Sequence, residues 1–428
     1  MLQRAQIEQI IRDNVARTFS SVRERAQELP VDIDRVITLT GARRTGKTSL
    51  FFRMIRELRR QMPAERILYL NFEDDRLFGC SLEDMDMILD VYFSLYPAAP
   101  QQIVYFFFDE IQRIKGWETF VRRIKDTLPA RVYVTGSSAS LLGREIATAL
   151  RGRTLTYEVF PLQFREYLVW QEKPDRVGTS QDNQQIQHAF QAYLSTTAFP
   201  ELITWRPQER IMALQEYIDL IIYRDVAERL QLANTHTLKY LIHYLLVHAG
   251  NPLSVNAVFK DLKGQGVRTS KDSLYEYMDL LEDVYAIFMV PVFSRNLKVQ
   301  QRNPKKLYIL DHGLKKAVSM GTDQGALLEN ILFLDLRRRY ANLYYWQDEQ
   351  EVDFIVPTAT GVEAINVCLK LDHPSTFSRE INGLLACLSS LQISRGWMIS
   401  GYEEELLQKE GKTIHIIPAW KWLLAPPF

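Results

Sequence analysis

A lysine and a threonine directly after a glycine, Gly46-Lys47-Thr48, with a second glycine at Gly41, supply the groups needed to hold a polyphosphate and its magnesium ion. The two glycines let the backbone turn tightly, so that successive amide N–H groups and the start of a following helix face the β- and γ-phosphates, where the helix dipole favours negative charge. Lys47 brings a mobile positive charge. Thr48 brings a hydroxyl for Mg²⁺, a cation that keeps most of its waters and needs few protein ligands. The expected nucleotide-binding set is Gly41, Ala42, Arg43, Arg44, Thr45, Gly46, Lys47, Thr48 and Ser49. Hydrolysis needs carboxylates as well, and Asp109 and Glu110 follow a large apolar run. Asp109 is expected to hold Mg²⁺, and Glu110, kept off the metal, to polarise the attacking water.

Three kinds of element must position these groups. The β-branched run VITLT before Gly41 and the amphipathic stretch after Thr48 predict strand, loop and helix, the helix running to about Gln61. IVYFFF before Asp109 reads as a parallel strand buried on both faces. ERILYLNFEDDRL (65 to 77) supplies another strand, whose acids Glu73 and Asp74 are expected mainly to solvate a loop, and VYVTGSSASLL (132 to 142) a further one. Helices at 81 to 96 and 117 to 127 alternate with them, which implies an α/β fold with a parallel sheet covered on both faces.

Together GARRTGKT, FFFDEIQ and VYVTGSSASLL resemble the AAA+ class of P-loop ATPases, of archaeal and bacterial type. The resemblance implies ATP and Mg²⁺ as cofactors and a polar sensor of the γ-phosphate at Thr135 or Ser137. The segment 149 to 168 is close to the family pattern too, and makes Arg151 and Arg153 candidates for neutralising charge on the transferring phosphoryl group, in cis or on a neighbouring subunit. Arg224, in a YRD element the family shares, is expected either as a second sensor or as a partner of Glu228 one helical turn on.

With 428 residues the chain is expected to hold two to four domains, and 46% hydrophobic with 24% charged residues is ordinary for globular protein. Lys plus Arg equals Asp plus Glu at 52 each, so composition gives no global case for nucleic acid or membrane. Cys80, Cys368 and Cys387 have no metal-binding spacing and point to a reducing, cytoplasmic compartment. The first residues lack a signal-peptide core, and no apolar run approaches the length that spans a bilayer.

Beyond the ATPase the polar stretch Glu172 to Gln187 reads as a surface loop, and helical patterning resumes to about 231. Residues 236 to 295 predict three helices, the third capped by Thr269, followed by a hairpin, the order of a winged helix. The hairpin loop carries Arg295, Lys298, Arg302, Lys305 and Lys306 with no acid among them, a wing suited to double-stranded DNA phosphates. Against DNA, the third helix carries Glu276, Asp279, Glu282 and Asp283, which leaves protein docking as the alternative.

The last part reads helix, three strands, helix, strands, similar to the PD-(D/E)xK (restriction-endonuclease-like) superfamily in which ATPases of this type commonly end. The resemblance places acids at Glu329 and Asp353, but Asn366-Val367-Cys368 stands where Glu-x-Lys is expected. Lys370 shares the face of Asn366 and is a candidate displaced lysine. The expected domains are 1–170 (ATPase core), 171–235 (helical lid or linker), 236–320 (winged helix) and 321–428 (nuclease-like, inactive). The expected function is an ATP-hydrolysing switch acting with DNA, an unidentified protein partner or a second copy of itself. An ATP-driven nuclease using Glu329, Asp353 and Lys370, or an ATP-sensing binding protein, are the alternatives.

Overall fold

In the computed structural model, which describes residues 2–19, 22–137, 150, 152–232, 235–319, 321, 323–359 and 361–424, the chain divides into two compact units, Met1–Val159 and Phe160–Phe428.

The first unit is built on five strands, β1 (Val36–Thr40), β2 (Ile67–Asn71), β3 (Val104–Asp109), β4 (Ala130–Gly136) and β5 (Thr154–Glu158). They form one wholly parallel sheet in the order β2-β3-β4-β1-β5. Helices α1 (Arg4–Ala16), α2 (Lys47–Leu58), α3 (Leu82–Leu95) and α4 (Trp117–Thr127) cover it. Side chains alternate along a strand, and the core divides by that parity. Phe106, Phe108, Val132 and Val134 pack with Ile7, Ile10 and Ile11 of α1 and with the apolar stripes of α3 and α4. Tyr105, Phe107, Tyr133 and Leu39 face the other way, against Leu50, Phe51, Met54, Ile55 and Leu58 of α2. Each such burial contributes about 1.5–3 kcal/mol, enough to fix the register of α2 beneath the sheet.

Two expectations shift here. The strand expected over 132 to 142 ends at Gly136, and its remainder from 138 onward lies outside the described residues. The strand expected over 65 to 77 ends at Asn71, because Asp74 turns the chain by accepting from Arg76 N and starts a 3₁₀ turn.

In the second unit, helices Phe164–Trp170, Ser180–Leu194 and Pro207–Leu220 come first, the last running into a π-helical stretch, Ile221–Ala227, that contains Arg224. The loop expected over 172 to 187 stops at Thr179. Thr179 and Asp182 form a capping box, and the polar run from Gln181 is the solvent side of a helix that buries Ile186, Ala189, Phe190, Tyr193 and Leu194.

Helices His236–Val247, Val255–Gly264 and Lys271–Asp283 follow, with strands β6 (Pro252–Leu253), β7 (Ile287–Val290) and β8 (Lys305–Ile309) in an antiparallel sheet of order β6-β8-β7. Ser270, one residue after the expected Thr269, caps the third helix. The connection between β7 and β8 holds a short helix, Leu297–Arg302. After helix Gln324–Arg339 comes a mixed six-stranded sheet of β9 (Tyr344–Gln347), β10 (Glu351–Thr358), β11 (Gly361–Cys368), β12 (Arg395–Ser400), β13 (Glu405–Lys409) and β14 (Lys412–Pro418), in the order β13-β14-β12-β11-β10-β9. Helix Pro374–Ser390 packs on it through Ile381, Leu384, Leu385 and Leu388.

The segment after β7 is tied to β9, and β8 to helix Gln324–Arg339. Val292 bridges Tyr345, the Asn330 side chain exchanges two hydrogen bonds with the backbone of Ile309 at 2.9 Å each, and Tyr308 stacks flat on Phe333 with centroids 4.3 Å apart. Among the described residues no helix is long and apolar enough to cross a membrane.

Candidate functional site

At the carboxyl ends of β1, β3 and β4 the sheet brings together the loop 41–48, Asp109, Glu110 and Thr135. The loop needs its glycines. Gly41 has φ +144°, and a Cβ there would come within 2.3 Å of the Val159 carbonyl oxygen; Gly46 has φ +99° and starts α2. Thr45 folds its hydroxyl back onto Ala42 O at 2.9 Å. Lys47 is buried and donates to Gly41 O at 2.8 Å and Ala42 O at 2.9 Å, so its ammonium already lies in the cup of the loop. Arg43 pairs with Glu73, which also takes Arg113, at 3.1 Å each, so Glu73 is tied to the loop rather than only to solvent. Arg44 and Ser49 are exposed.

Strand parity puts Asp109 next after Phe107 on the α2 face, where Thr48 Oγ1 donates to Asp109 Oδ2 at 2.7 Å. Thr135, on the strand between β1 and β3, donates to the other carboxylate oxygen and accepts from Glu110 N at 2.9 Å. Burial pushes the Asp109 carboxyl up, against the pull of the Thr135, Thr48 and Tyr69 hydroxyls. Hard oxygen donors gathered around a carboxylate 1% exposed suit a divalent cation.

Glu110 leaves the strand in a left-handed conformation (φ 54°, ψ 43°), which costs a non-glycine residue about 1–3 kcal/mol and turns its side chain out of the sheet. Its Oε2 accepts from Gln112 Nε2 at 2.6 Å, its Oε1 lies 3.9 Å from Lys47 Nζ, and Gln112 reaches Ser137 Oγ at 3.5 Å. Thr135 and Ser137 therefore touch different acids, Thr135 the aspartate and Ser137, through Gln112, the glutamate.

Two residues of this site have no sequence signal. Tyr69, on β2 beside β3, donates to Asp109 Oδ2 at 3.0 Å, and burial followed by the Asp109 charge raises its own pKa. Tyr69→Phe should weaken Mg²⁺-dependent turnover by a few fold, the worth of one hydrogen bond of about 1 kcal/mol, read as a higher Mg²⁺ half-saturation with ATP affinity in EDTA unchanged. Arg25 is buried with Nη1 2.7 Å from Thr45 O and against Gly46, tying the segment before β1 to the loop.

Arg153 is not brought to the loop. Arg153 precedes β5 at the amino end of the sheet, opposite the carboxyl ends, and its guanidinium pairs with Asp126 at 2.6 Å. A role in cis has no geometric support. Arg151 lies outside the described residues.

In the second unit the basic hairpin loses one member. Arg295, Lys298 and Arg302 are exposed and Lys305 partly so, but Lys306 is 1% exposed. Alternation along β8 turns Lys306 inward with Tyr308, and its ammonium meets Glu329 at 2.7 Å, Glu351 at 2.5 Å and Asp353 at 2.6 Å. Of the helix acids, Glu282 faces inward and accepts from Met289 N at 3.0 Å.

Glu329 and Asp353, the acids the nuclease-like resemblance singles out, are half of this charge cluster. Lys370 lies past the end of β11 and is exposed. Asn366 accepts from Asp353 N at 3.2 Å and donates to Glu380 at 2.8 Å, while Glu363 is bound to Arg395 and Trp397. Burial first, and Asp353 next, push the Glu329 carboxyl from an ordinary 4.5 to about 7. The folded state then holds this proton more tightly than the unfolded chain, so stability is full below pH 4.5 and falls as pH rises from 4.5 to 7. Glu329→Gln should flatten that decline in the unfolding midpoint of the second unit; an unchanged slope refutes it.

The parallel sheet, the glycine loop and the paired acids define a P-loop domain of the AAA class of ATPases, and residues 34–168 match the family model described as an AAA domain. Residues 187–325 and 324–422 match two further models, each a domain of unknown function (DUF8612 and DUF4143). The chain is 32% identical to the uncharacterized protein MJ1544 of Methanocaldococcus jannaschii across 97% of this chain and 95% of that one, and it belongs to the family of that protein. It is also 27% identical to an uncharacterized protein of Haemophilus influenzae, across 92% and 95% of the two chains. Among solved structures, the ORC1 protein of Aeropyrum pernix in complex with DNA aligns over 78% of this chain and 94% of that one, at 13% identity and a TM-score of 0.27, a likeness too slight to argue from.

Proposed function

We propose that the chain is a Mg²⁺-dependent ATP-hydrolysing switch whose second unit engages DNA. The observation that carries the reading is the convergence of Lys47, Thr48, Asp109, Glu110 and Thr135 on the cup of one glycine loop. The amides of 41–48 and Lys47 hold the β- and γ-phosphates, and Thr48 and Asp109 hold the ion. Mg²⁺, when bound, neutralises charge on the phosphates. Glu110 orients and deprotonates the attacking water, Gln112 fixes its carboxylate, and Thr135 with Ser137 lines the γ-phosphate side.

With Arg153 at the far end of its own sheet and Arg151 outside the described residues, this reading assigns charge stabilisation to an arginine of a neighbouring subunit or partner, and hydrolysis by the lone chain is then slow. This suits a switch better than a motor.

Helices His236–Val247, Val255–Gly264 and Lys271–Asp283 with β6, β7 and β8 follow the order of a winged helix, and Arg295, Lys298 and Arg302 give its wing three exposed cations for phosphates. The six-stranded domain is read as nuclease-like without cleavage, because Asn366 stands where an acid is needed and Lys370 lies past the end of β11, exposed. The test is ATP turnover with and without double-stranded DNA at low and high salt. Stimulation that fades as salt rises is the expected result. Absence of stimulation at either salt removes DNA from the reading and leaves a protein partner.

A further inference from the structure

The Lys306 ammonium donates hydrogen bonds to Glu351 and Asp353 and forms an ion pair with Glu329. Glu329 Oε1 comes from helix Gln324–Arg339, and Glu351 Oε1 and Asp353 Oδ1 come from alternate positions of β10, so both point to one face. All three oxygens lie 2.5–2.7 Å from the ammonium nitrogen. The outer contacts hold two of the acids in place. Tyr308 donates its hydroxyl to Glu329 at 2.6 Å, and Val367 N donates to Asp353 Oδ2 at 2.7 Å.

Three carboxylate oxygens fixed around one point are the donor set of a hard divalent cation, whose oxygen ligands sit at about 2.0–2.6 Å. Here the point is filled by an ammonium from a different sheet. Glu351 remains partly exposed, which leaves a path from solvent to that point.

We propose that Lys306 is a built-in replacement for a divalent metal ion: the Glu329, Glu351 and Asp353 trio is a cation site occupied by the chain itself, and removing the lysine side chain opens it to Mn²⁺ or Ca²⁺. The wild-type cluster is therefore independent of metal, and chelators leave the second unit unchanged. Truncation to alanine leaves the three acids without the ammonium between them.

The test is Mn²⁺ titration of the full chain at pH 8 without nucleotide, comparing wild type with Lys306→Ala and Lys306→Ala/Asp353→Asn. Calorimetry counts ions, and thermal unfolding reports their effect on the fold. The Lys306→Ala chain should take up one more Mn²⁺ than wild type, about tenfold tighter or better than any wild-type site, with a raised unfolding midpoint. The added Asp353→Asn should remove both gains.

Equal Mn²⁺ binding by wild type and Lys306→Ala overturns the proposal, as does a gain that survives Asp353→Asn. Three uncompensated acids can keep the alanine variant from folding. In that event Mn²⁺ must restore its fold, and Lys306→Ala/Glu329→Gln, with one charge fewer, must fold unaided and still bind the ion. Failure of either also overturns it.

Discussion

Glu110→Gln should bind ATP and Mg²⁺ within a few fold of wild type while its turnover falls by about 10²–10⁴, the usual worth of a positioned general base. The amide keeps the size of the side chain and can still bond Gln112, which reaches Glu110 Oε2 at 2.6 Å, so the left-handed turn and the loop beside it should persist. What the amide cannot do is take a proton. Asp109 has no such separate duty: it is enclosed by Thr48, Tyr69 and Thr135 and is already committed to hydroxyl donors, which is the environment of an ion ligand and not of a base. Single-turnover hydrolysis measured beside calorimetric ATP affinity separates the two roles. Turnover above about a tenth of wild type would move the base elsewhere.

The second large effect is on stability. Lys306→Met keeps the stem of the side chain but deletes the cation, leaving Glu329, Glu351 and Asp353 together without compensation. Breaking a buried ion cluster from one side costs about 3–5 kcal/mol, more than most point mutations, because the remaining charges stay out of water. In EDTA the denaturant midpoint of the second unit should drop accordingly, while that of the first unit stays put. A loss under about 1 kcal/mol would mean that the acids rehydrate or take up protons at little cost. The measurement should follow each unit with its own probe, since a chain of two units need not unfold in one step.

The position of the glycine loop and of the two acids was legible from sequence because each is a local pattern: glycines at fixed spacing, and acids ending an apolar run. The strand order was not, since it depends on which edges pair, and neither was the placement of Arg153, whose neighbourhood resembles a catalytic segment although its strand presents the wrong end. Tyr69 escaped notice because a tyrosine in a buried strand looks like core until its hydroxyl finds Asp109. Lys306 was misread for the opposite reason. It follows Lys305 in a run of exposed cations, but it belongs to β8, where alternation turns it inward with Tyr308, toward acids whose partner no local spacing could reveal. The polar start of Ser180–Leu194 shows the same limit on a helix, where composition suggested a loop and only the Thr179 cap and the buried face show otherwise.

The ties from the β7–β8 segment to helix Gln324–Arg339 and to β9 and β10 bear on how a signal could travel. Val292 to Tyr345, Asn330 to Ile309 and Lys306 to three acids clamp the small hairpin at three separate points. A hairpin pinned in this way has no hinge at its base, so its amides and those of β10 should exchange with solvent in one opening event instead of two. A pull on Arg295, Lys298 or Arg302 should therefore reach helix Gln324–Arg339 and β10 as directly as the hairpin itself.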